Sequence, residues 1–235
     1  MAGQNGSTEG RLHARPLQEV GTTAPVGLHS IKVGVARGDH LLHVPEAYRT
    51  TSPAPLMVWL HGAGGRARDF LSLELQGLAE ATGMLLLVPT SEDYTWDVIV
   101  GRGRYGPDVA AIDMALESTF SRYAVDPART AVGGFSDGAS YALSLGITNG
   151  DLFTHVLAFS PGFVMPGGKR GSPRLFVSHG TRDEVLPIER CSHRIVPQLE
   201  RAGFGIRYRE FEGGHTIPPD VARGAVSWFV ADQRG

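Results

Sequence analysis

Short apolar runs alternate with amphipathic stretches along most of the chain. The apolar runs predict strands at 29–36, 40–44, 55–60, 84–89, 128–134, 154–159, 173–179 and 206–211. Between them, apolar positions at helical spacing predict helices at about 68–81, 107–123, 137–147, 189–202 and 218–231. This alternation is typical of a mostly parallel sheet covered by helices on both faces. We therefore expect an α/β fold with about eight strands.

The chain of 235 residues divides into a tail and one domain. Residues 1–26 are rich in glycine, threonine, proline and polar side chains without periodicity, which predicts a flexible N-terminal tail. Residues 27–235 contain no internal repeat and have the length of a single α/β domain. Two connections are long for such a domain, at 91–106 and 161–172. Because both carry aromatic or large apolar side chains, we interpret them as pocket walls rather than disordered loops.

Charge and composition exclude several classes of protein. The 22 Lys and Arg and 24 Asp and Glu residues give a net charge of -2, and no basic run indicates a nucleic-acid surface. The one cysteine, Cys191, cannot form an intrachain disulfide, which indicates a reducing compartment. No apolar run is long enough to span a membrane, and the N-terminus lacks an apolar leader. We expect a cytoplasmic protein, and a homodimer stays open because the sequence does not fix the oligomeric state.

The main chemical signal is the pentapeptide Gly134-Phe135-Ser136-Asp137-Gly138, between the strand at 128–134 and the helix at 137–147. A G-x-S-x-G turn between strand and helix holds a serine nucleophile in a strained backbone, where flanking glycines let the two elements cross closely. This geometry would raise the Ser136 hydroxyl above the carboxyl edge of the sheet, beside the N-terminus of a helix.

Two backbone donors are expected for an oxyanion. One is the N–H of Asp137, and the other is the N–H of Ala63 in the loop LHGAGG, with His61 orienting that turn. A plain turn or a phosphate cradle is the alternative for this loop, although the Gly-Lys-Ser/Thr helix start of a cradle is missing. A carboxylate roughly 6 Å from an oxyanion would repel it by about 3 kcal/mol at an effective dielectric of about 20, so the Asp137 side chain should point away.

The serine needs a base and a carboxylate. His215 in EFEGGHTIPP is the predicted base, with His61 as its rival, and Asp183 in HGTRDEVLP is the predicted carboxylate. Glu184, next to Asp183, stays an alternative. The chain order serine, aspartate, histidine is that of α/β-hydrolases. His179 and Asp183 are close in sequence but lack a third ligand at metal spacing, so we expect no metal site.

Large side chains in the two long connections are candidates for a substrate pocket. They are Tyr94, Trp96 and Tyr105 in the first connection and Phe163, Val164 and Met165 in the second. Trp96 is the preferred candidate, because a large aromatic in a glycine-rich connection lacks an obvious core partner. The alternative is that these side chains pack the loops onto the core.

Four stretches together carry a family resemblance. LHGAGG, VDPARTAVGGFSDGASYALSLG, HGTRDEVLPIERC and YREFEGGHTIP resemble the phospholipase/carboxylesterase and poly(3-hydroxybutyrate) depolymerase-like esterase branch of the α/β-hydrolases. The resemblance covers residues from about 28 to 232. It implies the α/β-hydrolase fold, with Ser136 as nucleophile and Asp183 orienting His215. It also implies hydrolysis of acyl ester, thioester or aryl ester bonds without a cofactor.

These observations predict a serine carboxylesterase that acts on small soluble esters, of short-chain acyl or aryl type, through an acyl-enzyme on Ser136. The same three residues would serve an acyl thioesterase or lysophospholipase. An acyltransferase or perhydrolase would differ in the nucleophile that receives the acyl group. A non-catalytic binding module would keep the fold without reacting, and the intact set of Ser136, Asp183 and His215 argues against it.

Overall fold

The computed structural model describes residues 9–17, 20, 25–33 and 38–231. The strands in this part of the chain are β1 (Gly27–Ile31), β2 (His40–Val44), β3 (Ala54–Leu60), β4 (Leu85–Val88), β5 (Val125–Phe135), β6 (His155–Phe159), β7 (Arg174–Gly180) and β8 (Ile206–Phe211). They form one sheet in the order β1-β2-β4-β3-β5-β6-β7-β8. β2 pairs antiparallel with β1 and β4, and every other pair is parallel. The predicted α/β architecture is confirmed, although 34–36 of the first predicted strand lie outside the described residues.

The helices are α1 (Ala67–Phe70), α2 (Leu73–Thr82), α3 (Asp97–Val100), α4 (Pro107–Phe120), α5 (Asp137–Thr148), α6 (Ser192–Arg201) and α7 (Pro219–Ala231). The single helix predicted at 68–81 is two helices, because the Ser72 hydroxyl accepts a hydrogen bond from the Leu75 N–H and begins α2 afresh. The short helix α3 lies in the first long connection and was not predicted. No helix in the described part of the chain is long and apolar enough to cross a membrane.

The sheet separates two hydrophobic cores. All seven residues of β3 are buried, and they alternate between the cores as strand geometry requires. Leu56 and Leu60 pack in the core that includes α4, α5 and α6, whereas Trp59 packs in the core that includes α1, α2 and α7. Helices therefore cover both faces, and the residues that follow each parallel strand meet at one edge of the sheet.

Part of the predicted flexible tail is packed on the domain. Leu12 is fully buried, and its N–H donates to Asn149 Oδ1 at 2.9 Å. Arg11 forms an ion pair of 2.9 Å with Asp151. The structure thus differs from the expected tail over residues 9–17. These contacts join positions more than a hundred residues apart, which a search for local periodicity cannot detect.

Candidate active site

Ser136 lies at the sharp turn between β5 and α5. Its φ of 59° and ψ of -120° are costly for a residue with a side chain. Its N–H donates to the Phe159 carbonyl at 2.9 Å, which ties the turn to β6. At Gly138 an added Cβ would overlap the Leu60 carbonyl oxygen. The turn therefore has the strained geometry that the sequence predicted, and the close crossing of α5 over β3 requires the glycine.

Three predicted side chains meet at this turn. His215 Nε2 lies 2.9 Å from Ser136 Oγ, and His215 Nδ1 lies 2.7 Å from Asp183 Oδ2. Because a carboxylate only accepts, we assign the proton to Nδ1, which leaves Nε2 to accept the serine hydroxyl proton. The sequence alternative Glu184 is exposed to solvent, whereas the Asp183 side chain is fully buried. The arrangement has the geometry of a nucleophile, a base and an orienting carboxylate.

Asp183 is held as a carboxylate by several donors. Its Oδ1 accepts hydrogen bonds from the N–H groups of Val185 at 3.0 Å and Leu186 at 2.8 Å. Burial by itself would raise the pKa of Asp183, but the hydrogen bonds from Leu186 and His215 outweigh it and hold that pKa below its ordinary value. The carboxylate is therefore charged at neutral pH and can stabilise an imidazolium at His215.

A fourth side chain reaches this carboxylate. His179 Nε2 lies 2.7 Å from the Leu186 carbonyl and 3.3 Å from Asp183 Oδ2, and its Nδ1 lies 2.7 Å from Ser192 Oγ. Sequence reasoning considered His179 only as a metal ligand, and no third ligand joins it among the described residues. The usable signal was its position at the end of β7, four residues before Asp183.

The loop at 60–65, which we call the oxyanion loop after its predicted role, is fixed by His61, which is fully buried. The Ser91 N–H donates to His61 Nε2 at 3.0 Å, so the ring proton is on Nδ1, which donates to the Gly62 carbonyl at 2.8 Å. The Trp96 indole N–H donates to the His61 carbonyl at 2.8 Å. His61 is thus engaged by the loop, as the sequence predicted, and does not take part in the Ser136–His215 pair.

Both N–H groups that the sequence predicted as oxyanion donors lack an acceptor in the described structure, that of Ala63 in the loop after β3 and that of Asp137 at the start of α5. Ala63 is exposed to solvent. The Asp137 carboxylate accepts a hydrogen bond of 2.8 Å from the Thr95 hydroxyl. Its side chain is therefore engaged by the connection after β4, and this partner was not predicted.

The Asp137→Ala variant is expected to change kcat/KM for a small ester by less than about tenfold, because the carboxylate is bound to Thr95 rather than directed at a developing oxyanion. Steady-state kinetics on Asp137→Ala and Asp137→Asn test this. A rise of about tenfold or more in both variants would mean that the charge opposes the reaction and faces the chemistry.

Two of the proposed pocket residues are core residues instead. Trp96 is fully buried, stacked on Tyr141 with ring centroids 5.1 Å apart and against His61 at 4.5 Å. Tyr105 is 6% exposed, and its hydroxyl donates to the Met165 carbonyl at 2.9 Å. Neither offers a surface to a substrate. The core partners that Trp96 lacks locally come from the loop after β3 and from α5.

The remaining pocket candidates lie on loop surfaces. Tyr94 is 60% exposed and packs against Gly64 of the oxyanion loop, whereas Met165 is 45% exposed. Phe163 and Val164 are half-buried against the core. The second long connection is fixed by α5, because hydroxyls of that helix accept its N–H groups: Ser140 from Gly162, Ser144 from Met165 and Thr148 from Gly167.

The first long connection is held by two buried carboxylates. Asp97 Oδ2 accepts from the N–H groups of Gly106 and Asp108 at 2.8 and 3.0 Å, and Asp108 Oδ2 accepts from the Asp97 N–H at 2.6 Å. Burial, and then the charge of Asp97, raises the pKa of Asp108 to about 7. The pair therefore ties the start of α3 to the start of α4.

Comparison with known proteins adds sequence relatives. No protein-family model matches the chain. A probable feruloyl esterase C from Aspergillus terreus is 24% identical over 159 residues, and a feruloyl esterase C from Emericella nidulans is 27% identical over 158 residues. Both alignments cover 64% of this chain and 57% of the relative. The chain therefore spans little more than half the length of these curated relatives.

Solved structures cover more of the chain. Esterase PE8 has a TM-score of 0.60 at 24% identity, over 80% of this chain and 97% of its own. The S-formylglutathione hydrolase of Staphylococcus aureus has a TM-score of 0.69 at 13% identity, over 88% and 99%. A CE1 ferulic acid esterase from Anaeromyces mucronatus has a TM-score of 0.63 at 17% identity, over 93% and 96%. By its sheet topology and these relatives, the chain has the α/β-hydrolase fold.

Proposed function

We propose that this protein is a serine carboxylesterase that hydrolyses small esters through an acyl-enzyme on Ser136. The observation that carries the proposal is the hydrogen-bonded line from Ser136 Oγ through His215 to the buried Asp183. Together with a strained turn and two free backbone donors, it supplies each group that acyl transfer needs.

The reaction follows from this geometry. His215 Nε2 takes the hydroxyl proton as Ser136 Oγ attacks the ester carbonyl carbon, and the Ala63 and Asp137 N–H groups bind the resulting oxyanion. When the carbon–oxygen ester bond breaks, the departing alcohol takes the proton from His215. Water, deprotonated by the same nitrogen, then attacks the acyl-enzyme and releases the carboxylic acid, which restores the Ser136 hydroxyl. Asp183 stabilises the His215 imidazolium both while the acyl-enzyme forms and while water hydrolyses it.

The names of the relatives support an ester bond and an aryl acyl group. The two curated sequence relatives are named feruloyl esterases, and a solved relative is a ferulic acid esterase. Ferulic acid is an aromatic carboxylic acid, so aryl-bearing esters are included among the proposed substrates.

Thioester hydrolysis is the second candidate function. The structural relative with a TM-score of 0.69 is named an S-formylglutathione hydrolase, and a thioester carbonyl would meet the same serine and the same donors. Nothing in the triad geometry discriminates oxygen from sulfur as the leaving atom, so the leaving group must be tested directly.

A hydrolysis panel tests the proposal. The purified chain is assayed with p-nitrophenyl esters from acetyl to palmitoyl, with aryl esters and with acyl thioesters. We expect turnover of short-chain or aryl esters without any added cofactor. The absence of turnover across the whole panel would contradict the proposed function, whereas a preference for thioesters would select the second candidate.

A further inference from the structure

An apolar cavity of about 200 Å³ adjoins the candidate active site. Its walls come from β3, α1, α2, the residues after His215 and the start of α7, and the apolar side chains among them are Trp59, Phe70, Leu75, Leu78, Ile217 and Ala222. None of these residues was predicted as a pocket residue, because the sequence analysis considered only the large side chains of the two long connections.

Phe70 connects the cavity to the serine. A Cβ placed on Gly62 would lie 3.5 Å from Ser136 Cβ and 3.6 Å from Phe70 Cζ, so the serine and the ring face the same point of the oxyanion loop. On the other side, Ile217 lines the cavity two residues after His215. The lining thus approaches Ser136 through Phe70 and His215 through Ile217, and the cavity lies between α2 and α7, next to the reacting pair but without either of its side chains in the lining.

Size and charge restrict the occupant. A cavity of about 150 Å³ lined by Leu, Ile and Phe is known to bind benzene, so this one has room for a single aromatic ring or a chain of similar bulk. The exposed carboxylates Asp69 and Glu74 belong to its lining and disfavour an anionic substituent. We propose that the cavity binds one uncharged aromatic ring of the ester substrate. This inference rests on the proposed function and specifies the substrate class.

Three esters and two cavity-filling variants test this pocket. Ethyl acetate is the reference, methyl 3-phenylpropanoate carries the ring on the acyl side, and 2-phenylethyl acetate carries it on the alcohol side. In the unchanged protein, burial of the ring should raise kcat/KM for at least one ring-bearing ester about tenfold or more over ethyl acetate. Ala222→Phe fills the cavity from α7 and Leu78→Trp fills it from α2, and each should abolish this advantage.

The controls distinguish loss of ring binding from loss of ester hydrolysis itself. In both filling variants, kcat/KM for ethyl acetate should fall much less than kcat/KM for the preferred ring-bearing ester, since the small ester does not need the cavity. Ala110→Phe makes the same change at an exposed position of α4, on the other face of the sheet, and should keep the ring preference. Ring-bearing esters no better than ethyl acetate, or equal losses on all three esters, would overturn the pocket. Failure to hydrolyse any ester would instead overturn the proposed function.

A separate observation concerns His179. A carbonyl can only accept, so the contact with the Leu186 oxygen places the ring proton on Nε2, and the Ser192 hydroxyl then donates to Nδ1. Burial lowers the pKa of His179, so the ring is neutral. That proton is donated to the Leu186 carbonyl, so the 3.3 Å approach of Nε2 to Asp183 Oδ2 is a close polar contact, beside the hydrogen bond that Oδ2 accepts from His215.

We infer that His179 is a positioning residue that acts through Asp183. By donating to the Leu186 carbonyl, the ring holds the turn whose Leu186 N–H donates to Asp183 Oδ1. A neutral ring adds no positive charge that would compete with His215 for the carboxylate. Removing the ring leaves the Leu186 carbonyl without its donor, which should lower activity by about 10- to 100-fold. This loss should fall on kcat rather than KM, because His179 is buried away from the substrate.

Paired substitutions test this role. Glutamine carries its N–H where His179 Nε2 lies, whereas asparagine carries one where Nδ1 lies, so His179→Gln should retain about tenfold more activity than His179→Asn. When Asp183 is also replaced by alanine, His179→Gln and His179→Asn should have the same activity. His155→Gln provides the control, because His155 is equally buried and lies at the opposite end of β6 against Trp228 and Phe229. The His155→Gln variant should have a kcat within roughly threefold of that of the unchanged protein.

Two results would contradict the proposed role of His179. Equal activity of His179→Gln and His179→Asn would overturn the positioning role. The same ratio between them with Asp183 removed would show that His179 supports the fold in general rather than this carboxylate. Thermal unfolding of each variant, read beside His155→Gln, identifies any loss that comes from stability alone.

Discussion

The Ser136→Ala variant is expected to lose ester hydrolysis by about 10⁶-fold in kcat while remaining folded. The hydroxyl is the only group at this turn positioned to attack, and His215 Nε2 faces it at 2.9 Å. Without the oxygen, neither an acyl-enzyme nor the first tetrahedral intermediate can form. Alanine is smaller than serine and otherwise similar in shape, so it fits the strained turn and the variant should fold.

The comparison variant for Ser136 is Ser121→Ala. Ser121 is exposed at the C-terminal end of α4, and its hydroxyl contacts only a local carbonyl, that of Ser118, in the described structure. Its loss should leave hydrolysis unchanged. If Ser136→Ala still turned over an activated ester at a comparable rate, with an unaltered melting transition, the nucleophile would have to be another group.

Asp183→Asn is expected to lower kcat by about 10⁴-fold with a smaller effect on KM. The amide can present an N–H to His215 Nδ1, which would place the ring proton on Nε2 and remove the acceptor that Ser136 needs. It would also remove the charge that stabilises the imidazolium. Burial of this position makes the effect larger, because solvent cannot replace the lost carboxylate.

Glu184→Gln is the matched control for that experiment. The same acid-to-amide change is made one residue further along, at a side chain that is exposed to solvent. We expect kcat/KM within roughly threefold of the unchanged protein. Comparable damage from both substitutions, or greater damage from Glu184→Gln, would contradict the assignment of Asp183 and favour the alternative that the sequence left open.

The centre of the site could be predicted because its signals are local. The turn at Ser136 shows a buried strand, a glycine pair around the serine and a helix within one short stretch, and each part was visible in the sequence. His215 and Asp183 each follow a predicted strand. In a parallel sheet the carboxyl ends of strands share an edge, so the topology brings the three residues together once the strands are identified.

The surroundings could not be predicted in the same way. Trp96 was interpreted as a pocket wall because its partners are distant in sequence: His61 lies in the loop after β3, and Tyr141 lies in α5. His179 was passed over because its relation to Asp183 depends on a loop that turns back on itself. The break between α1 and α2, in contrast, could have been predicted, since Ser72 is a helix-capping residue that is visible in the sequence.

Reaction with a fluorophosphonate probe, followed by mass spectrometry of the digested chain, tests the central claim most directly. The probe phosphonylates a serine only where a base removes the hydroxyl proton and donors hold the oxyanion. Our account predicts one adduct, on Ser136, that is absent from Ser136→Ala and forms far more slowly in Asp183→Asn. An adduct on any other residue, or none on the folded protein, would contradict it.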